Sequence, residues 1–150
     1  MPTPILPATD AALVDPRTGT VTRAWYPLFQ FLNRAVRMSG IGYTPGAGGS
    51  VTQDTSKSTG VTLQKATGQI TLNAAALAAS TTVSFTLTNL AIEATDVLVL
   101  NHVSGGTAGA YTLNAQAAAG SASIAVRNVS LASLSEAIVI GFALVKGQTT

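Results

Sequence analysis

Chemistry in this 150-residue chain would rest on very few side chains, because only 9% are charged, one is histidine and none is cysteine. His102 is that single histidine, and the carboxylates that could join it around a metal are scattered along the chain, so it reads as a strand-end or loop residue. Asp54, Glu93, Asp96 and Glu136 could in principle supply the paired carboxylates of glycoside hydrolysis. No local motif couples any two of them, and each lies beside a turn, where acidic side chains solvate the backbone. Serine and threonine abound, yet there is no Gly-x-Ser-x-Gly elbow, and any triad would depend on His102 alone. The glycine runs Gly46-Ala47-Gly48-Gly49 and Gly105-Gly106 lack a following Gly-Lys-Ser/Thr, so they read as linker and turn rather than phosphate loops. The expectation is a protein that is not an enzyme, with no catalytic, cofactor-binding or metal-binding residue and no cofactor.

The elements around these residues are built from an apolar, nearly uncharged chain. Hydrophobic residues make up 47%, and the mean hydropathy is +0.39. That much apolar surface argues against disorder. Without cysteine there is no disulfide scaffold or thiolate metal site. A net charge of +2 from eight scattered cations is too thin for binding nucleic acid by counterion release. The longest apolar stretch, Ala137 to Val145, is about half of what a membrane-spanning helix needs, so no membrane insertion is expected. The opening MPTPILPATD has no cationic region and too many prolines for a signal peptide, which predicts a protein kept in the cytoplasm or released by lysis.

Composition changes near residue 40. Residues 1–40 carry five of the six prolines, four arginines and half of the aromatics; residues 41–50 are Gly-rich and read as a linker. From Val51 the chain is rich in Thr, Ala, Val and Ser, contains no proline, and is electrically neutral. The expected organisation is an anchoring segment with a helix (1–40), a linker (41–50) and a β-domain (51–147).

Alternation dominates the β-domain. In Thr81–Thr88, Val83, Phe85 and Leu87 share one face and Ser84, Thr86 and Thr88 the other. Gly60–Lys65 and Gln69–Asn73 flank a short Gly-containing loop and predict a hairpin. Asp96–Asn101, apolar on both faces, predicts a central strand. Ala110–Ala115 and Ser121–Arg127 predict a second hairpin turning at Ala119-Gly120. In the last run, bulky Ile138, Ile140, Phe142 and Leu144 alternate with Val139, Gly141, Ala143 and Val145. The bulky set should enter a core, leaving the thin set to face another backbone. Leu72–Ala79 favours a short helical turn through its Ala and Leu content. Seven or eight strands in about a hundred residues predict a mainly β fold, an antiparallel, jelly-roll-like β-sandwich.

In the first segment Trp25, Leu28, Phe29, Leu32 and Val36 fall on one helical face, with a start near Arg23–Tyr26 and an end at Gly40. Pro27 fits only the first turn of such a helix. Asp15-Pro16-Arg17-Thr18-Gly19 has the residues of a type I turn. So short a helix cannot bury this stripe by itself. It must fold back on the sandwich or dock on another protein, and aromatic and Arg residues are enriched at interface hot spots.

The segment LVDPRTGTVTRAWYPLFQFL (residues 13–32) resembles a motif near the N-terminus of many tailed-bacteriophage structural proteins, and GGSVTQDTSKSTGVTLQK (48–65), with Arg127–Ser130 and Glu136–Ile140, resembles a small β-domain of phage tail-fibre and appendage proteins. Pro27 stands where that pattern more often has a residue able to donate a helix hydrogen bond. The resemblance implies a virion component assembled in the host bacterial cytoplasm: a short trimeric tail fibre or fibre anchor attached to the tail. Its docking surface would be Trp25, Tyr26, Leu28, Phe29, Leu32 and Val36. Its subunit interface would be Val139, Gly141, Ala143 and Val145. Partners would be copies of itself, other tail or head proteins, and a distal fibre protein or host surface glycan. A capsid decoration protein would differ only in where it attaches. A carbohydrate-binding module would need exposed aromatics, and the β-domain offers only Phe85, Tyr111 and Phe142 as rings, of which the two phenylalanines read as internal.

Overall fold

The computed structural model describes residues 11–30, 32, 42–43 and 45–148. The chain divides into two compact units, Met1–Gly42 and Tyr43–Thr150.

The second unit is a β-sandwich of eight strands: β1 (Ser50–Thr52), β2 (Val61–Thr62), β3 (Thr67–Thr71), β4 (Thr82–Thr88), β5 (Val97–Ser104), β6 (Tyr111–Ala118), β7 (Ser121–Asn128) and β8 (Val139–Val145). They form two four-stranded sheets, ordered β1-β3-β8-β5 and β2-β4-β7-β6. Period-two alternation puts one set of side chains inward from each sheet. Phe85 and Leu87 of β4, Ile124 and Val126 of β7, and Ile140, Phe142 and Leu144 of β8 meet in one core, closed by Ile70, Leu72, Ile92 and Ile138. The bulky and thin faces of β8 are therefore as the alternation predicts. The hairpin β6–β7 also forms as expected, with Gly120 at φ 74° in its turn.

Four features differ from the sequence expectation. First, both sheets are mixed: β1 runs parallel to β3 and β2 parallel to β4, so the sandwich is not wholly antiparallel. Second, the Gly60–Asn73 hairpin does not form. β2 joins one sheet and β3 the other, because the chain crosses between sheets where Leu63 packs against the core. Third, Val97–Ser104 is an edge strand, paired only with β8, and the valines at 97, 99 and 103 are exposed. Fourth, Leu72–Ala79 is not helical. The Leu72 amide donates to the Ile138 carbonyl at 2.8 Å, and Leu77 exchanges backbone hydrogen bonds with Leu134. Tertiary pairing, with both leucines buried, overrides local helix propensity.

The stretch expected as linker runs into the body. The Gly49 carbonyl accepts from the Gln69 amide at 2.9 Å, and the Tyr43 hydroxyl donates to the Leu144 carbonyl.

In the first unit, residues 13–22 form a small hairpin. Val14 bridges Val21, and the Asp15 carbonyl accepts from the Gly19 amide at 2.8 Å. Asp15 Oδ1 also accepts from the Arg17 amide, and Gly19 takes the φ of 65° that closes the turn. Residues 26–30 and 32 are helical. The Phe29 amide donates to the Trp25 carbonyl, so Pro27 lies in the first turn, where its missing N–H costs nothing. Val36 and the expected helix end at Gly40 lie outside the described residues.

Candidate functional site

The residues that could carry chemistry are placed in structural roles. Glu136 Oε2 accepts from the Thr107 amide at 2.8 Å and the Tyr111 hydroxyl at 2.9 Å, and Oε1 accepts from the Thr107 hydroxyl at 2.6 Å. These bonds, led by those from Thr107, hold the Glu136 carboxyl below its ordinary range. Burial, and then Glu136, push the Tyr111 hydroxyl up to about 12. His102 Nε2 lies 2.8 Å from the Gly105 carbonyl, and its ring meets Tyr111 edge-on, centroids 5.9 Å apart. Asp96 is clamped by Lys146 at 2.8 Å, which lowers its carboxyl and raises the ammonium; Glu93 stands 3.5 Å from the same nitrogen. Asp54 lends only its carbonyl, to Asn73 Nδ2. Asp96 and Glu93 thus share Lys146, while Glu136 serves Thr107 and Tyr111 and the Asp54 carbonyl serves Asn73. Among the described residues, no group of three His, Cys, Asp or Glu side chains is placed to hold a metal ion.

The string VTQDTSKSTGVTL proves to be a corner that buries Gln53, Lys57 and Val61 and leaves most of its other residues at the surface. Gln53 Nε2 donates to the carbonyls of Lys57 and Thr59, and its Oε1 accepts from the Asn73 amide. Lys57 is also buried, and its ammonium donates to the carbonyls of Asn73 and Glu136. Burial lowers its pKa, against an opposing pull from Glu136. These residues satisfy backbone groups where the chain crosses from one sheet to the other, which explains so polar a string in an apolar domain.

Two surfaces remain. In the first unit Tyr26 is 56% exposed, Phe29 and Leu32 are exposed, and Trp25 and Leu28 are half-buried. Trp25 Nε1 donates to the Ala11 carbonyl at 2.9 Å, fixing the indole against the chain before the hairpin. Val21, Tyr26, Phe29 and Gln30 line a shallow groove of about 290 Å³. Among the described residues of this unit none is fully buried.

The other surface is the outer face of the β1-β3-β8-β5 sheet. Val139, Gly141, Ala143 and Val145 point outward, as the alternation in β8 predicts. Across the ladder, Val145 pairs with Val97, Ala143 with Val99 and Gly141 with Asn101, while Thr67 and Gln69 lie on the β3 side of Ala143 and Gly141. A groove of about 470 Å³ runs over Gly141, walled by Val99 and Val103 on one side and by Thr67 and Gln69 on the other. The β5 valines escape the sequence reading because an all-apolar run looks central. Phe85, Phe142 and Tyr111 are all buried, so none of these rings offers a face for sugar stacking.

No family model, curated protein or solved structure matches the chain.

Proposed function

We propose that this chain is a non-enzymatic bacteriophage virion structural protein, a short trimeric tail fibre or fibre anchor held to the tail by its N-terminal unit. The observation that carries this reading is the aromatic surface of that unit. Tyr26, Phe29 and Leu32 stand exposed on a short hairpin-and-helix segment in which no described residue is fully buried. The described residues of this unit leave these apolar side chains short of full burial, and docking on a second protein would supply it. The pinned indole of Trp25 reduces what docking must order. The resemblance of residues 13–32 to phage structural proteins points the same way. The scarcity of charge on the β-sandwich suits permanent subunit contacts, whose centres are depleted in ions.

The test is incorporation into particles. Deletion of residues 1–42, and separately Trp25→Ala, should leave the β-sheet circular dichroism intact while the protein disappears from purified virions. Normal incorporation of the deletion variant overturns the assignment of the anchor. Antibody labelling of particles should decorate the tail; labelling of the head would make the protein a capsid decoration component instead.

A further inference from the structure

One continuous segment supplies an outermost strand to both sheets. Ser50–Thr52 is β1, at the edge beside β3, and Val61–Thr62 is β2, at the edge beside β4. Both pair in parallel, over only three and two residues. Residues 53–60 turn the corner between them. The segment therefore covers one edge of each sheet, edges that are open without it.

Little of the core depends on this segment. Val61 is its one residue in the buried core, and Val51 packs against that core only partly buried. Ile70, Phe85, Ile124 and Ile140 come from β3, β4, β7 and β8. Polar bonds supply the rest of the fastening. The Gln53 amide donates to the Thr71 carbonyl, Gln53 Oε1 accepts from the Asn73 amide, and the Asp54 carbonyl accepts from Asn73 Nδ2. Lys57 reaches further. Its ammonium donates to the Asn73 carbonyl and, at 2.6 Å, to the carbonyl of Glu136 in the approach to β8.

This last fastening opposes its own charge. Lys57 is 3% exposed and forms no ion pair among the described residues. Glu93 and Asp96 go to Lys146, and the Glu136 carboxylate is committed to Thr107 and Tyr111. The ammonium has exchanged water for two carbonyl dipoles, and burial lowers its pKa accordingly. Lifting the corner returns the ammonium to water on its flexible stem, so opening recovers solvation that the closed corner withholds.

We infer that Ser50–Thr62 is a strap that lifts from the folded sandwich, latched by the Lys57 side chain, and that its release bares the edges of β3 and β4 while the other six strands hold. Short ladders and few apolar contacts are what such local opening requires. Each bared edge is a place where an extended strand can add. The strap is a property of the β-sandwich alone and is independent of virion attachment.

The test is native-state hydrogen exchange of the full chain, read by NMR, for wild type, Lys57→Ala and the double variant Thr52→Cys with Thr71→Cys. The reporters are the Gln53 and Asn73 amides, whose bonds join the strap to the body, against the amides of Ile124 and Val126 in β7. Residues 52 and 71 are register partners and the chain has no cysteine of its own, so oxidation staples the strap to β3. In wild type the strap amides should exchange at least about a hundredfold faster than those of β7. Lys57→Ala leaves the Asn73 and Glu136 carbonyls without their donor and should speed the strap amides about tenfold or more, with β7 unchanged. The oxidised staple should slow the strap amides towards the β7 rate, and reduction should restore them. Strap and β7 amides that exchange together in wild type, or a staple without effect, overturn the strap. Strap exchange that Lys57→Ala leaves unchanged or slows overturns the latch. So does β7 exchange that quickens equally, since Lys57 would then hold the whole sandwich.

Discussion

The Tyr111 hydroxyl donates to Glu136 Oε2 at 2.9 Å, tying the start of β6 to the segment that leads into β8. The bond joins an acid held below its ordinary range to a phenol raised to about 12. Each therefore links folding to pH, from opposite ends of the scale.

For Glu136 the folded pKa is the lower one, so its contribution is complete above the unfolded value of about 4.3 and is lost as pH falls through the folded value. Urea midpoints should drop on acidification across that window. Glu136→Gln should be less stable at neutral pH and should flatten this acid limb.

For Tyr111 the folded pKa is the higher one, so its contribution is complete below the unfolded value of about 10 and fades as pH climbs towards about 12. The phenolate absorbance of wild type minus that of Tyr111→Phe should titrate with a midpoint near about 12. A midpoint near 10 would mean that neither burial nor Glu136 acts on the hydroxyl in solution.

Asn128 is fully buried at the end of β7, where its Nδ2 donates to the carbonyls of Leu77, Ala78 and Ala132 and its Oδ1 accepts from the Ser130 amide and hydroxyl. Asn128→Ala strands these groups and should cost about 2–4 kcal/mol in urea denaturation. Ser130→Ala, which removes a single hydroxyl from the same loop, should cost about 1 kcal/mol.

Alternation in β8 sets two nearby substitutions apart. Ile140→Ala empties space in the fully buried core and should cost about 2–5 kcal/mol. Val145→Ala on the outer face should change dilute-chain stability by no more than about 0.5 kcal/mol.

Trp25 is the single tryptophan and lies in the unit without a fully buried described residue. Its fluorescence should change at lower urea than the β-sheet circular dichroism. Coincident transitions would mean that the two units unfold as one.

What the sequence made legible was what alternation can encode. The inward faces of β4 and β8, the β6–β7 turn at Gly120 and the outward thin face of β8 all follow from local period-two patterns. What it hid depends on long-range pairing. Nothing in Val97–Ser104 says that β8 will take one of its sides and leave the other open, so its valines look central. The Leu72–Ala79 stretch has the composition of a helix and is held extended by Ile138 and Leu134, some sixty residues on. Gln53 and Lys57 look like surface residues, and only the crossing between sheets gives them backbone groups to satisfy. In the first segment the turn at Asp15 and a helix start near Arg23–Tyr26, with Pro27 in its first turn, were legible, because both are set by neighbours in the chain.

The placement of β8 between β3 and β5 has a kinetic consequence. On the ribosome both flanking strands emerge before the strand that joins them, so this sheet has no middle until residues 139–145 are released. Its ladders close over long loops, the slow kind of contact to form. The β6–β7 hairpin and its partner β4 can assemble earlier, which makes the hydroxyl-faced sheet the template on which the aliphatic sheet completes. The unfinished sheet leaves β5 unpaired and β3 paired only with β1 in the meantime, so overcrowded synthesis should favour aggregation through these open edges over assembly.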